Sequence, residues 1–205
     1  MIVGMFFLYR VPKHLIKIRG PNQHVMKSLI EALPPVQNLN IIRNVVPEDG
    51  VFPNNALLPL LLYKEAFQIS DKHDTATIKE ILETNSWTDF WVDTILGEHH
   101  YHSTAHEVLV ALKGTARVQF GGPNGVTLMF EQGDVVIIPA GVAHCKVDES
   151  NGFSCLGAYP DGQEYDMNFG KPGEKEIAEE NIRKLPTPEN DPLYGSDGPL
   201  IKNWH

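Results

Sequence analysis

The chain has 205 residues, 42% hydrophobic and 21% charged, with a formal net charge of −9. That length suits one domain with appendages and buries a core without staples, and the ordinary composition excludes collagen-like, coiled-coil and wholly disordered classes. The acidic balance and the lack of a basic run argue against a nucleic-acid partner, and no apolar run approaches the ~20 residues that span a bilayer.

Residues 1–48 show no clear period. Lys13, Lys17, Arg19 and Lys27 give them a mild basic bias, Pro34-Pro35 breaks any helix begun at Val25, and they read as a loose or docked arm. Met1 to Leu8 is apolar but lacks the leading basic region and small-residue cleavage site of a signal peptide. Pro53-Asn54-Asn55 is turn chemistry, and the leucine-dense run Leu57 to Tyr63 reads as a strand, with Pro59 confining it to a strand start or an edge. A helix follows over residues 74–85, with Asp74 as its N-cap and Ile78, Ile81 and Leu82 on one face.

From Phe90 to Tyr159 the texture becomes all-β. Short runs at 90–96, 100–102, 107–112, 116–120, 126–130, 135–138, 144–147 and 153–159 are separated by turn residues, the pattern of a sandwich or barrel. Gly121 to Gly125 is a hairpin loop; it lacks the helix and lysine of a phosphate loop. Ala116, Val118 and Phe120 alternate with Arg117 and Gln119, so one face of that strand is wet or lines a pocket. After Pro160 the chain is rich in proline, glycine and charge, with a short helix over residues 174–184. Its Tyr165, Met167, Phe169, Leu193, Tyr194, Leu200, Ile201 and Trp204 argue for an ordered strap over residues 161–205. The barrel itself occupies 49–160. Two cysteines, Cys145 and Cys155, are too few for a disulfide framework and read as reduced thiols of a cytoplasmic protein. Cys145 has no activating neighbour in sequence for nucleophilic chemistry.

Four of nine histidines fall between Gly97 and Glu107. On a strand, His100 and His102 share a face and can bite one metal ion. A turn over Ser103 to His106 resets the parity, so that Glu107 lies on the next strand on the same face as Leu109 and Ala111. His144, after the turn Pro139-Ala140-Gly141, approaches from a separate strand. Three imidazoles and a carboxylate suit one divalent transition metal per chain, Fe, Mn, Ni, Zn or Cu, and are too nitrogen-rich for Mg or Ca. Four protein donors leave up to two octahedral positions for water, oxygen or substrate.

Two spacings then stand out. His100-x-His102, four residues, Glu107, six residues, Gly114 resembles the first cupin motif; Gly133, five residues, Pro139-x-Gly141, two residues, His144 resembles the second. The 18 residues between Gly114 and Gly133 are a short span, as in compact bacterial cupins. Two positions depart from the pattern, Thr94 where a glycine is expected and Asp148 where an asparagine is; neither is a ligand position. Further similarity to the YjlB-like group of small bacterial cupins lies in Pro53-Asn54-Asn55 with Leu58 to Leu61, Gly157 to Pro160, Tyr165-Asp166-Met167 and Asp191-Pro192. The resemblance implies an all-β fold, the cupin double-stranded β-helix or jelly-roll barrel, with a short N-terminal helix, an extended C-terminal tail and metal inside. Its spacing selects Glu107 over the competing His106, which then points outward or stands behind the ligands. His99 shares parity with Tyr101, away from the metal, and reads as surface; Tyr101 and Trp91 fit either inside the barrel or outside it. The resemblance implies a metal-dependent enzyme of dioxygenase type on a small organic molecule, with an isomerase, a lyase or a non-catalytic binding protein as alternatives. Cupins of this kind are commonly dimeric, and a homodimer is expected.

Overall fold

The computed structural model describes residues 38–70 and 73–204. The chain order is β1 (Asn40–Val46), β2 (Asn55–Lys64), α1 (His73–Thr84), β3 (Trp87–Asp93), β4 (Glu107–Phe120), β5 (Val126–Glu131), β6 (Val135–Ile138), β7 (His144–Pro160), α2 (Glu174–Lys184) and α3 (Pro199–Asn203). The strands form one antiparallel sheet in the order β1-β2-β6-β4-β7-β3, with β5 paired to β4. Most of the arm expected over residues 1–48 lies outside the described residues, but its 40–46 segment is β1, paired with β2.

The apolar runs of the central strands are continuous because both faces of the sheet are covered. Leu61 and Tyr63, Val108 and Val110, Val135 and Ile137, and Leu156 and Ala158 face one cluster with Ile78, Ile81 and Leu82 of α1 and with Leu200 and Trp204 of the strap. Their alternates, Leu60 and Leu62, Leu109 and Ala111, Val136 and Ile138, and Cys155, face the barrel interior with Val118, Phe120 and Phe153. Period-two alternation thus sorts two cores rather than a core and a wet face.

Four local expectations change. The paired runs at 107–112 and 116–120, and at 144–147 and 153–159, are single long strands, β4 and β7, hydrogen-bonded along their length with register shifts near Lys113 and Thr115. Gly114 lets β4 turn the corner: its φ is +68°, and a Cβ there would lie 2.5 Å from the Ser150 carbonyl oxygen. Pro59 is neither at an edge nor at a strand start. It sits where β1 pairing jumps from Asn44↔Leu60 to Val46↔Asn55, while β6 pairs only Leu61 to Tyr63, so neither ladder needs its missing N–H. Asp74 lies in the first turn of α1 and accepts from the Ser70 amide at 2.5 Å, rather than standing before the helix as a cap.

The segment after β7 is built onto the barrel. Asp191 is fully buried and accepts hydrogen bonds from the Tyr63 hydroxyl and from the backbone amides of Leu193, Tyr194 and Leu200. Trp204 donates from its indole to the Pro59 carbonyl. The two cysteines are free and buried.

Candidate metal centre

His100 and His144 face each other through an isolated antiparallel bridge, His100 N–H to His144 O at 3.1 Å and the reverse bond at 2.9 Å. The Gly141 amide donates to the His102 carbonyl at 2.8 Å, which ties the Pro139-Ala140-Gly141 turn to the first histidine pair. That turn requires its glycine, with φ +92° and a would-be Cβ 2.5 Å from the Asn54 carbonyl oxygen. The three imidazoles are buried, and one ligand atom from each lies within 4.8 Å of the others.

Each ring is held from behind. Nδ1 of His100 lies 3.0 Å from the Glu98 carbonyl oxygen, Nδ1 of His144 lies 3.1 Å from that of Val142, and Nδ1 of His102 lies 2.5 Å from that of Asp166. A carbonyl only accepts, so each Nδ1 carries the proton and each Nε2 presents a lone pair. Burial lowers the pKa of all three, His144 the most strongly, so the rings stay neutral.

Glu107 begins β4 on the same face as Leu109 and Ala111. Its Oε2 lies 3.4 Å from His144 Nε2 and 3.7 Å from His102 Nε2, and it is buried without a hydrogen-bond donor. Its Oε1 accepts from the Tyr159 hydroxyl at 2.9 Å, and that hydroxyl accepts from Trp91 Nε1 at 2.9 Å. A bulge between Thr88 and Trp91 aims the indole inward, and Gly157 clears its path, since a Cβ there would lie 2.1 Å from the ring. Burial pushes the Glu107 carboxyl up to about 7, against the opposing pull of the Tyr159 bond. An orphaned, buried carboxylate oxygen facing imidazole lone pairs is costly in protein alone. A cation bound among these atoms removes that cost, so the donors present fit a transition metal.

The site opens into a pocket of about 300 Å³, whose lining includes Trp91, Ile95, Leu96, Tyr159, Tyr165 and Met167. The structure therefore brings His100, His102, Glu107 and His144 together, and it puts Trp91 in the pocket. Tyr101 is fully buried outside the barrel, edge-on to Phe52 at 6.0 Å. His106 points away from the site, but inward to the other core: it packs on Trp204 at 4.7 Å, and its Nδ1 accepts from the Ala140 amide at 3.0 Å. Nor is His99 a surface residue; it is half-buried against Phe52, with Nε2 3.4 Å from Cys145 Sγ. Burial raises the Cys145 thiol, so this neighbour does not activate it.

Two supporting devices escaped sequence reasoning: the Trp91–Tyr159–Glu107 chain and the hold of Asp166 on His102. The runs Gly157 to Pro160 and Tyr165 to Met167 mark both places in the sequence, but their partners lie more than fifty residues away.

A cupin family model matches residues 96–159. The "Uncharacterized protein YjlB" of Bacillus subtilis (strain 168) is 43% identical over 158 residues, which cover 77% of this chain and 93% of that protein. The chain is a YjlB-like cupin. Among solved structures, a dTDP-6-deoxy-D-glucose-3,5-epimerase RmlC from Legionella pneumophila matches at 15% identity and a TM-score of 0.33, over 62% of this chain and 74% of that one. Pumpkin seed globulin matches at 15% and 0.31, over 67% of this chain. The chain spans 29% of that globulin's length and 39% of hazelnut vicilin's, the latter at 16% identity, a TM-score of 0.34 and 66% of this chain. In this cupin the buried His100, His102 and His144 cluster could hold a metal ion. Among the described residues no helix is long and apolar enough to cross a membrane.

Proposed function

We propose that this cupin is a metal-dependent enzyme of dioxygenase type acting on a small organic molecule, with His100, His102, Glu107 and His144 holding one divalent transition metal. The observation that carries the reading is the convergence of three Nε2 lone pairs and the orphaned Glu107 oxygen at the base of a pocket. A metal held there would supply Lewis-acid and redox chemistry to a molecule in the pocket. The protein's share is to keep the imidazoles neutral and oriented through their Nδ1–H bonds and to fix the carboxylate through Tyr159.

An isomerase or lyase needs a proton carrier beside the substrate. The phenol of Tyr159 is committed to Glu107, and burial pushes its pKa well above the usual range. A Glu107 carboxyl pushed up to about 7 can carry that proton, so an isomerase or lyase is the second reading. A homodimer belongs to the same reading, supported by exposed Ile42, Val45 and Leu57 on the β1–β2 ribbon; a monomeric mass by light scattering at micromolar concentration rejects it. The cytoplasmic placement is supported by the free cysteines, and the lack of a nucleic-acid partner by the net charge of −9.

Elemental analysis of untagged protein purified without added metal tests the centre, followed by oxygen uptake of the iron-loaded protein with candidate substrates. Stoichiometric metal lost in His102→Ala and His144→Ala but kept in His99→Ala is expected. Full metal retention in His102→Ala refutes the ligand set, and zinc alone with no oxygen uptake refutes the oxidative reading.

A further inference from the structure

Resting on this metal reading and deepening it, we infer that the pocket takes a flat aromatic molecule bearing two neighbouring oxygen donors and no phosphate or other distant anionic group, with Tyr165 and Met167 of the strap setting that specificity. Charge comes first. Among the described residues no lysine or arginine lines the pocket, whose charged side chains are Asp93 and Glu107. A phosphorylated sugar or nucleotide would place its phosphate beside Asp93, and the Lys146 ammonium behind Thr94 is already paired with Glu149.

The walls supply the rest. Tyr165 stacks on Tyr159 with centroids 4.5 Å apart and planes 23° apart, and it meets the His102 ring at 4.8 Å. Despite those contacts Tyr165 and Met167 each remain 41% exposed, and Val92 and Leu96 beside the same pocket are exposed as well. Large apolar side chains left open around a polar floor mark a ligand surface. They are held there deliberately. Asp166, between Tyr165 and Met167, accepts from the Ser103 amide and hydroxyl at 2.5 Å and from Asn168 Nδ2 at 2.8 Å. Asn168 is bridged in turn to the Tyr101 backbone. The strap is thus pinned to the histidine loop by one residue while its two neighbours face the pocket.

The test is calorimetric titration of the cobalt-loaded protein, without oxygen, using three probes. Oxalate reads the metal's open positions alone, 4-methylcatechol adds an apolar ring, and mannose 6-phosphate adds a phosphate. 4-Methylcatechol should bind the native protein and Tyr165→Phe about tenfold more tightly than Tyr165→Ala, with oxalate affinity and cobalt content equal in all three and mannose 6-phosphate weakest. Equal affinity of 4-methylcatechol for native protein and Tyr165→Ala, or preference for mannose 6-phosphate, overturns the inference. Oxalate binding with no 4-methylcatechol binding refutes the aromatic substrate alone. Failure to hold cobalt or to bind either chelator brings down the metal reading together with the inference.

Discussion

Replacing Asp166 by alanine isolates what the strap does for the metal centre. Its carboxylate accepts two bonds at 2.5 Å from Ser103, one at 2.8 Å from Asn168, and longer contacts at 3.3 Å from Thr104. Bonds to a charged acceptor contribute about 1.5–3 kcal/mol each. Asp166 is half-buried, so water replaces part of what is lost, and the expected cost is about 3 kcal/mol in all. For a chain of this size that is a fall of about 6–12 °C in Tm. The more telling effect is on the metal. The Asp166 carbonyl holds His102 Nδ1, and its position depends on the side-chain clasp. Loss of such an outer partner weakens metal binding about 10–100-fold. Competition with a chromophoric zinc chelator measures this, with Asp148→Ala as control, because the Asp148–Arg117 pair is half-exposed and remote. Zinc affinity of Asp166→Ala within twofold of the native value would refute a positioning role, whatever the Tm.

Three other outcomes are expected. Gly157→Ala drives a methyl into the Trp91 indole; it should lower stability by about 1–3 kcal/mol and reduce tryptophan burial seen by fluorescence, and an unchanged spectrum would contradict the Trp91–Tyr159–Glu107 chain. His106 has its pKa lowered to about 4 by burial. The unfolded chain therefore binds a proton below about 6.5 that the folded chain refuses until about 4. The stability this group contributes is full above pH 6.5 and is lost on acidification, by about 3 kcal/mol; urea melts of His106→Gln should lose that slope between pH 6.5 and 4. Limited trypsin digestion should leave Lys175, Arg183 and Lys184 intact while Arg117, half-exposed on a strand, serves as the internal comparison. Rapid cleavage at those three sites would mean that Asp166 and Asp191 do not hold the strap.

The all-β class, the helices α1 and α2 within a residue or so and the spacing of the four candidate ligands were legible in the sequence, because each is set between near neighbours in the chain, whereas α3 falls where the sequence read as extended coil. His100 and His102 share a face by strand geometry, and the Pro139-Ala140-Gly141 turn delivers His144 because a glycine alone tolerates its φ and its contact with Asn54. What the sequence could not show is everything that depends on closure of the barrel. Gly114 and Asn151-Gly152 read as breaks, yet they only bend strands that stay paired across the corner. Pro59 read as an edge signal, since no local pattern announces that a bulge will excuse its missing N–H. His106 and His99 carry the same letter as the candidate ligands, and only packing against Trp204 and Phe52 separates them from the site. The carboxylate's orientation by Trp91 and Tyr159 and the grip of Asp166 on His102 join residues 52 to 68 positions apart. Bonds over such distances form only once hydrophobic burial has brought the strands together, so they belong to the tertiary structure, whereas the spacing of the candidate ligands belongs to the strand and turn and is written in the chain itself.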